Sequence, residues 1–208
     1  MVAEPNDRGG VTYRIGGRAR PGGRKNVGVA DFEFAPLKLG DLPLLSTWLA
    51  RPHVARWWRE PSDMASVTDN YAALANGLDP TEAFIVHFMG RPIGYVQRYL
   101  IEDDRAWRDA IRRAIGDGGG VGIDYLIGEK DLVGRGVGRR MIAQFAESCW
   151  DRYPSADQIT VVLQQANVAS WKALEAAEFR RVWSGHIESS DPSDAGPSFI
   201  YIARRPTD

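Results

Sequence analysis

The sequence predicts one α/β domain built of mixed layers, with amphipathic helices packed on a central sheet. Two observations carry this. From Asp31 onward, short β-like runs alternate with segments of helical period, without internal repeat or low-complexity tract. At 208 residues, 44% hydrophobic and 25% charged, the chain also falls in the range of one globular domain able to bury a sizeable core.

The elements follow in order. Phe32, Phe34 and Leu37 mark a first strand, after which Asp41 is placed to cap a helix carrying Leu42, Leu45, Trp48 and Leu49 on one side. A short helix is expected around Val54–Trp58, and another over Met64–Gly77, where the glycine ends it. Ala83–Phe88 and Ile93–Leu100 form a hairpin about Gly90-Arg91-Pro92. The acidic start Glu102-Asp103-Asp104, followed by Ala106, Trp107, Ala110, Ile111 and Ile115, has helical spacing and stops in the glycine run 116–120. Then come a strand at Val121–Ile127, an amphipathic helix over Gly136–Trp150, a strand at Ile159–Leu163 and a helix near Val168–Ala177. Strand-like runs at Phe179–His186 and Phe199–Ala203 flank the polar loop Glu188–Pro197.

Composition removes several classes of function. A single cysteine, Cys149, leaves no intrachain disulfide framework, and His53, His87 and His186 lack zinc-ligand spacing, so neither redox nor metal chemistry is expected. No apolar run approaches a membrane span or a secretory signal core, and the expected location is cytoplasmic. Residues 1–30 hold six Arg/Lys against Glu4 and Asp7, together with seven glycines, and are expected to form an arm rather than part of the domain. Residues 31–208 then carry a net charge of about −5, which argues against a nucleic-acid partner and suits a cationic small molecule.

The most informative local feature is the strand Val121–Ile127 leading through Val133-Gly134-Arg135-Gly136-Val137-Gly138 into a helix. Glycines there let backbone N–H groups approach an anion, and the helix N-terminus adds unpaired donors and a positive dipole end, a nest that fits a pyrophosphate. A tight strand-to-helix turn explains the same glycines equally well. A dinucleotide fold wants this loop after its first strand, and a triphosphate P-loop wants Gly-Lys-Ser/Thr where this chain has Gly138-Arg139-Arg140.

With that loop opening a helix, then a strand and Gln-Ala-Asn-Val-Ala-Ser at 165–170, the chain resembles the Gcn5-related N-acetyltransferase superfamily. Within it, Arg51-Pro52-His53-Val54-Ala55-Arg56-Trp57-Trp58, Pro92-Ile93-Gly94-Tyr95-Val96-Gln97 and Gly122-Ile123-Asp124-Tyr125 resemble the aminoglycoside 6′-N-acetyltransferases, in the same order over roughly residues 31–205. Hydroxylysine acetyltransferases of siderophore pathways are similar in layout. The resemblance implies a mixed, mostly antiparallel sheet splayed into a V, with acetyl-CoA in the cleft. Its pyrophosphate would lie on the Arg135–Arg140 amides, the cofactor-binding run being Val133, Gly134, Arg135, Gly136, Val137, Gly138 and Arg139; its pantetheine arm would pair with the strand near Tyr125, Leu126 and Ile127, and Asn167 would contact the cofactor near the start of the next helix. Asn167 can equally be that helix's N-cap. By analogy with the fold, a monomer or homodimer is expected.

The chain departs from the family pattern at several positions. Val133 stands where the pyrophosphate motif usually has Arg or Gln. Leu174 stands where many members carry a tyrosine as general acid, and Val162 where the aminoglycoside enzymes carry an acid. Glu178 replaces the glycine after the helix, where a left-handed residue costs about 1–2 kcal/mol, so that helix end is expected to change shape.

Acetyl transfer needs a free amine, whereas alkyl amines with a pKa of about 10 arrive charged. Asp124, in an otherwise apolar strand, is the expected proton acceptor, with an outward-facing strand residue as the plain alternative. A backbone N–H near Tyr125 or Leu126 would meet the oxyanion, and Tyr125 is a candidate acid for the leaving thiolate. Direct attack is expected, because Cys149 sits on the apolar face of its helix and reads as a packing cysteine. Trp57, Asp103, Asp124 and Glu188 are the expected acceptor contacts. Trp58, Trp107, Glu60, Glu102, Asp104 and Asp191 have core or solvated-helix explanations, and His53 is read as closing a turn. The sequence therefore points to an aminoglycoside N-acetyltransferase, with acetylation of another amine, or acyl-CoA binding without turnover, as alternatives.

Overall fold

The computed structural model describes residues 32–206, so the 1–30 arm lies outside the described residues. Seven strands and six α-helices follow in the order β1 (Phe32–Pro36), α1 (Leu42–Leu49), α2 (Pro52–Trp58), α3 (Met64–Ala75), β2 (Glu82–Phe88), β3 (Arg91–Leu100), α4 (Arg105–Ile115), β4 (Val121–Ile127), α5 (Val137–Arg152), β5 (Gln158–Gln164), α6 (Val168–Ala176), β6 (Arg180–Gly185) and β7 (Ser198–Arg204). They form one sheet in the order β1-β2-β3-β4-β5-β7-β6.

Every neighbouring pair is antiparallel except β4–β5, and that exception shapes the site. β4 pairs with β3 along its whole length, from Val121↔Leu100 to Ile127↔Gly94. With β5 it shares only Val121↔Ile159 and Gly122↔Thr160 before the two strands part. The sheet thus opens into the expected V, with Ile123–Ile127 on one wall and Val161–Gln164 on the other.

Side-chain alternation along β4 divides the core. Val121, Ile123, Tyr125 and Ile127 pack toward α5 and α6 with Phe145, Met141 and Val161, whereas Leu126 packs with Leu45, Trp48, Val67 and Tyr95 beneath α1 and α3. Asp124, in register with Leu126, therefore faces the α1–α3 side. Cys149 is fully buried in the first of these clusters, as a packing cysteine should be, and burial raises its thiol to about 11.

Three boundaries differ from expectation for local reasons. The hairpin turns at Met89 (φ 53°) and Gly90 (φ 75°), so Arg91 and Pro92 belong to β3. Asp41 precedes α1, yet its Oδ2 accepts from Lys38 N–H at 2.9 Å instead of capping that helix. α4 begins at Arg105 with Asp104 as N-cap, its Oδ1 accepting from Trp107 N–H at 3.0 Å, while Glu102 and Asp103 sit in a separate 3-10 turn. The expected reshaping after α6 does not occur. Glu178 takes φ 66° and Phe179 N–H closes on Leu174 O at 3.0 Å, the left-handed ending that glycine usually provides.

Candidate active site

The end of β4 is held by the Arg51-Pro52-His53 segment at the start of α2. Gly128 N–H donates to Ile93 O at 2.8 Å, so by the two-residue alternation of a strand the backbone groups of Ile123, Tyr125 and Ile127 point away from β3, into the opening. His53 Nε2–H donates to Ile127 O at 3.1 Å, which fixes the tautomer. Arg51 Nη1 donates to Gly128 O at 2.7 Å and pairs with Glu129 at 3.0 Å, and Glu129 also accepts from Trp48 Nε1. Residue 128 must be glycine, because a Cβ there would lie 2.2 Å from the Trp48 ring. His53 is thus a structural residue closing this corner, and the backbone of Tyr125 remains turned toward the gap.

Beyond this corner, Gly134 (φ 77°) and Gly136 (φ 74°) take left-handed turns that deliver the chain into α5 at Val137. Gly136 is the N-cap and offers no side-chain acceptor to the first-turn amides, which include those of Gly138 and Arg139. Val133, Arg135 and Arg139 are exposed, and Val137 is buried against the core. The loop therefore presents backbone donors and a positive helix end beside the open V, with Leu126 in the core below and Ile127 half-buried. These features fit a pyrophosphate-bearing co-substrate even though Val133 contributes no charged side chain.

Between the diverging strands lies a cleft of about 1190 Å³. Its walls come from α2 and the residues after it, β3, α4, β4, β5, the first turn of α6 and the loop 188–194. It is acidic. Glu60, Asp104, Asp109, Asp124, Glu188, Asp191 and Asp194 line it, against Arg59 and Arg113. Both arginines are engaged: Arg113 pairs with Glu188 at 2.7 Å, and Arg59 donates to Pro192 O, Ala195 O and Gln164 Oε1.

Asp124 lies at the floor of this cleft. Its Oδ2 accepts from Gln97 Nε2 at 2.9 Å, and Gln97 Oε1 accepts from the buried Tyr95 hydroxyl at 2.5 Å, which orients the amide. Burial, aided by the charges of Asp194, Asp191 and Glu60, outweighs the Gln97 hydrogen bond and pushes the carboxyl up to about 7. A carboxylate near neutrality in an acidic cleft is suited to receive a proton from a bound ammonium. Glu60 and Asp194 are raised by burial as well, and Glu60 is held by Tyr71 Oη–H at 2.8 Å.

The cleft gathers Trp57, Asp124, Tyr125, Asn167 and Glu188. It does not include Asp103, which is exposed in its 3-10 turn; its neighbour Asp104 lines the cleft instead. Trp58 and Trp107 also line it, although Trp58 is tied down by donating to Tyr71 Oη and by an edge contact with Tyr95. Asn167 is the N-cap of α6, its Oδ1 accepting from Ser170 N–H at 3.4 Å. Leu174 is fully buried and Val162 lines the cleft without a polar group. Sequence reasoning gave no role to Gln97, Arg59, Ser170 or Asp194. Gln97 alone carried a signal, a polar residue in the apolar run of β3.

A sequence model described as an acetyltransferase (GNAT) domain matches residues 38–186. The chain belongs to the GNAT acetyltransferase family. As such it is an N-acetyltransferase, and its splayed sheet is the family's fold. Among curated relatives, the type 1 aminoglycoside N(6′)-acetyltransferases of Klebsiella pneumoniae and Serratia marcescens are each 26% identical over 170 residues, 79% of this chain and 79% of theirs. Among solved structures, aminoglycoside acetyltransferase AAC(6′)-Ib in complex with coenzyme A and kanamycin has a TM-score of 0.70 at 24% identity, covering 84% of this chain and 95% of that one. An uncharacterized protein from Bacillus halodurans has a TM-score of 0.67 at 17% identity, covering 83% of each chain. Among the described residues, no group of three or more His, Cys, Asp or Glu is placed to hold a metal ion, and no helix is long and apolar enough to cross a membrane.

Proposed function

We propose that this GNAT enzyme moves the acetyl group of acetyl-CoA to an amino group of an aminoglycoside, the 6′-amine, and so confers resistance. The observation that carries the reading is Asp124, a carboxylate raised to about 7 on the floor of a cleft walled by six further acidic residues. A polycation is drawn in by that charge, its ring faces can rest on the side of Trp57 not covered by Arg56, and Glu188 can meet a second ammonium by exchanging it for Arg113. Asp104, which lines the cleft, takes the contact first expected of Asp103. The co-substrate's pyrophosphate lies on the amides from Gly134 to Arg139, and Asn167 marks the far side of its arm. Asp124 takes a proton from the reacting ammonium and passes it to cleft water. The free amine then attacks the thioester carbonyl directly, and the Tyr125 backbone N–H, turned into the opening, meets the oxyanion.

A second reading, acetylation of another small amine such as a polyamine, a siderophore hydroxylysine or a peptide, is favoured by Val162, which stands where the aminoglycoside enzymes carry an acid, and by Leu174, which stands where many members of the superfamily carry a tyrosine. Thiol release measured with kanamycin, ribostamycin, paromomycin and spermidine separates the two. Turnover of kanamycin and ribostamycin but not of paromomycin, whose 6′ position carries a hydroxyl, is the result expected. Turnover of spermidine, or of a hydroxylysine or peptide amine assayed beside it, without turnover of kanamycin transfers the assignment to the second reading, and coenzyme A binding without release from any of these amines overturns both.

A further inference from the structure

The thiolate that leaves acetyl-CoA must acquire a proton, and Leu174 cannot provide one. The structure brings another hydroxyl to the same helix. Tyr125 reaches from β4 toward α6, where its hydroxyl lies 2.8 Å from Ser170 Oγ. Ser170 and Leu174 are four residues apart and so share a face of α6, which puts the phenol one turn N-terminal to the buried leucine. Tyr125, Ser170 and Asn167 all line the cleft. Ser170 is itself fixed, because its N–H lies in the first turn of α6 against the Asn167 carbonyl and carboxamide.

We propose that Tyr125 is the acid that protonates the departing thiolate, and that Ser170 positions its hydroxyl and returns its proton. The inference rests on the acetyl-transfer reading above. As the C–S bond breaks, its electron pair goes to sulfur and the Tyr125 phenolic proton follows. The phenolate is reprotonated through Ser170 from cleft water. The attacking nitrogen loses two protons, each to Asp124 and then to solvent, so ammonium and thioester give amide, thiol and one released proton. Acid and base are separate residues on opposite faces of β4, and neither can neutralise the other. Burial raises the Tyr125 phenol above its ordinary value, which keeps the acid protonated at working pH, while the Ser170 hydrogen bond acts in the opposite sense and favours the phenolate. The first turn of α6 adds a positive dipole end that favours the transient phenolate.

Two measurements test this together. The first is the ionisation of bound coenzyme A, followed by thiolate absorbance near 240 nm in wild type, Tyr125→Phe and Ser170→Ala. A hydroxyl that donates to the sulfur lowers the thiol midpoint, so Tyr125→Phe is expected to raise it by about one pH unit and Ser170→Ala by less. The second is turnover with two donors. Tyr125→Phe is expected to lower kcat about 100-fold with acetyl-CoA, but less than about threefold with the acetyl thioester of 4-nitrothiophenol, whose thiolate leaves without a proton. An unchanged thiol midpoint, or equal losses with both donors, overturns the assignment. If Tyr125→Phe fails to bind coenzyme A, the same two measurements on Ser170→Ala decide, and no change in either overturns it. Absence of thiol release by the wild type with any amine overturns the acetyl-transfer reading itself.

Discussion

Replacing Asp124 by asparagine should stabilise this protein and disable it. The carboxyl is raised from 3.8 to about 7 in the folded state, chiefly by burial. Between about pH 4 and pH 7 the native state therefore holds a proton that the unfolded chain has released, and stability falls as pH rises through that window. The three-unit rise corresponds to about 4 kcal/mol above pH 7, an upper figure because water in the cleft screens the charge. Asparagine keeps an acceptor for Gln97 Nε2 and removes the charge. Urea denaturation should then show Asp124→Asn more stable than wild type by about 1–4 kcal/mol at pH 8.5, with the difference closing toward pH 4, while kcat falls at least 100-fold. A variant less stable at both pH values, or one with near-wild-type turnover, refutes the reasoning.

Four other outcomes follow from named contacts. Gln97→Met removes a hydrogen bond that favours ionised Asp124, so the rising limb of kcat/KM against pH should move to higher pH, with activity recovered in alkaline buffer. Glu82 bridges Arg98 and Arg152 at 2.7 and 2.6 Å and its carboxyl is held below its usual range; Glu82→Gln should lower the denaturation midpoint while leaving the pH profile of turnover in place. Glu178→Gly should raise stability by about 0.5–1 kcal/mol in a denaturant titration, because the position is already left-handed. Raising salt from 50 to 500 mM should increase KM for a polycationic acceptor much more than KM for a monoamine acceptor, since the cleft's acidic charge acts on every ammonium of the former.

Much of this was legible in the sequence because it depends on period and on local backbone demands. The apolar run Val121–Ile127 marked the strand, and Asp124 stood out in it as the odd carboxylate. Gly134 and Gly136 marked the loop before α5, and both take left-handed φ there. What stayed hidden depends on partners distant in sequence. Asp103 and Asp104 are equivalent by composition, and the fold separates them: Asp104 caps α4 and lines the cleft, whereas Asp103 ends the preceding 3-10 turn outside it. Gln97 becomes meaningful only through the β3–β4 register that sets it opposite Asp124. Ser170 gains a role from an interaction spanning 45 residues. Glu178 shows the converse, a residue whose expected effect tertiary packing overrides, since Phe179 is buried beside it and holds the turn.

Whether Asp124 serves an ammonium acceptor in an acetyl-CoA reaction is read from the pH dependence of thiol release from acetyl-CoA with kanamycin for wild type and Asp124→Asn. Saturable release whose kcat/KM rises through a midpoint near 7 is expected in the wild type, and in the variant loss of that limb with a rate lower by at least about 100-fold. A wild-type profile without a midpoint in that region, or the same limb persisting in Asp124→Asn, would contradict it.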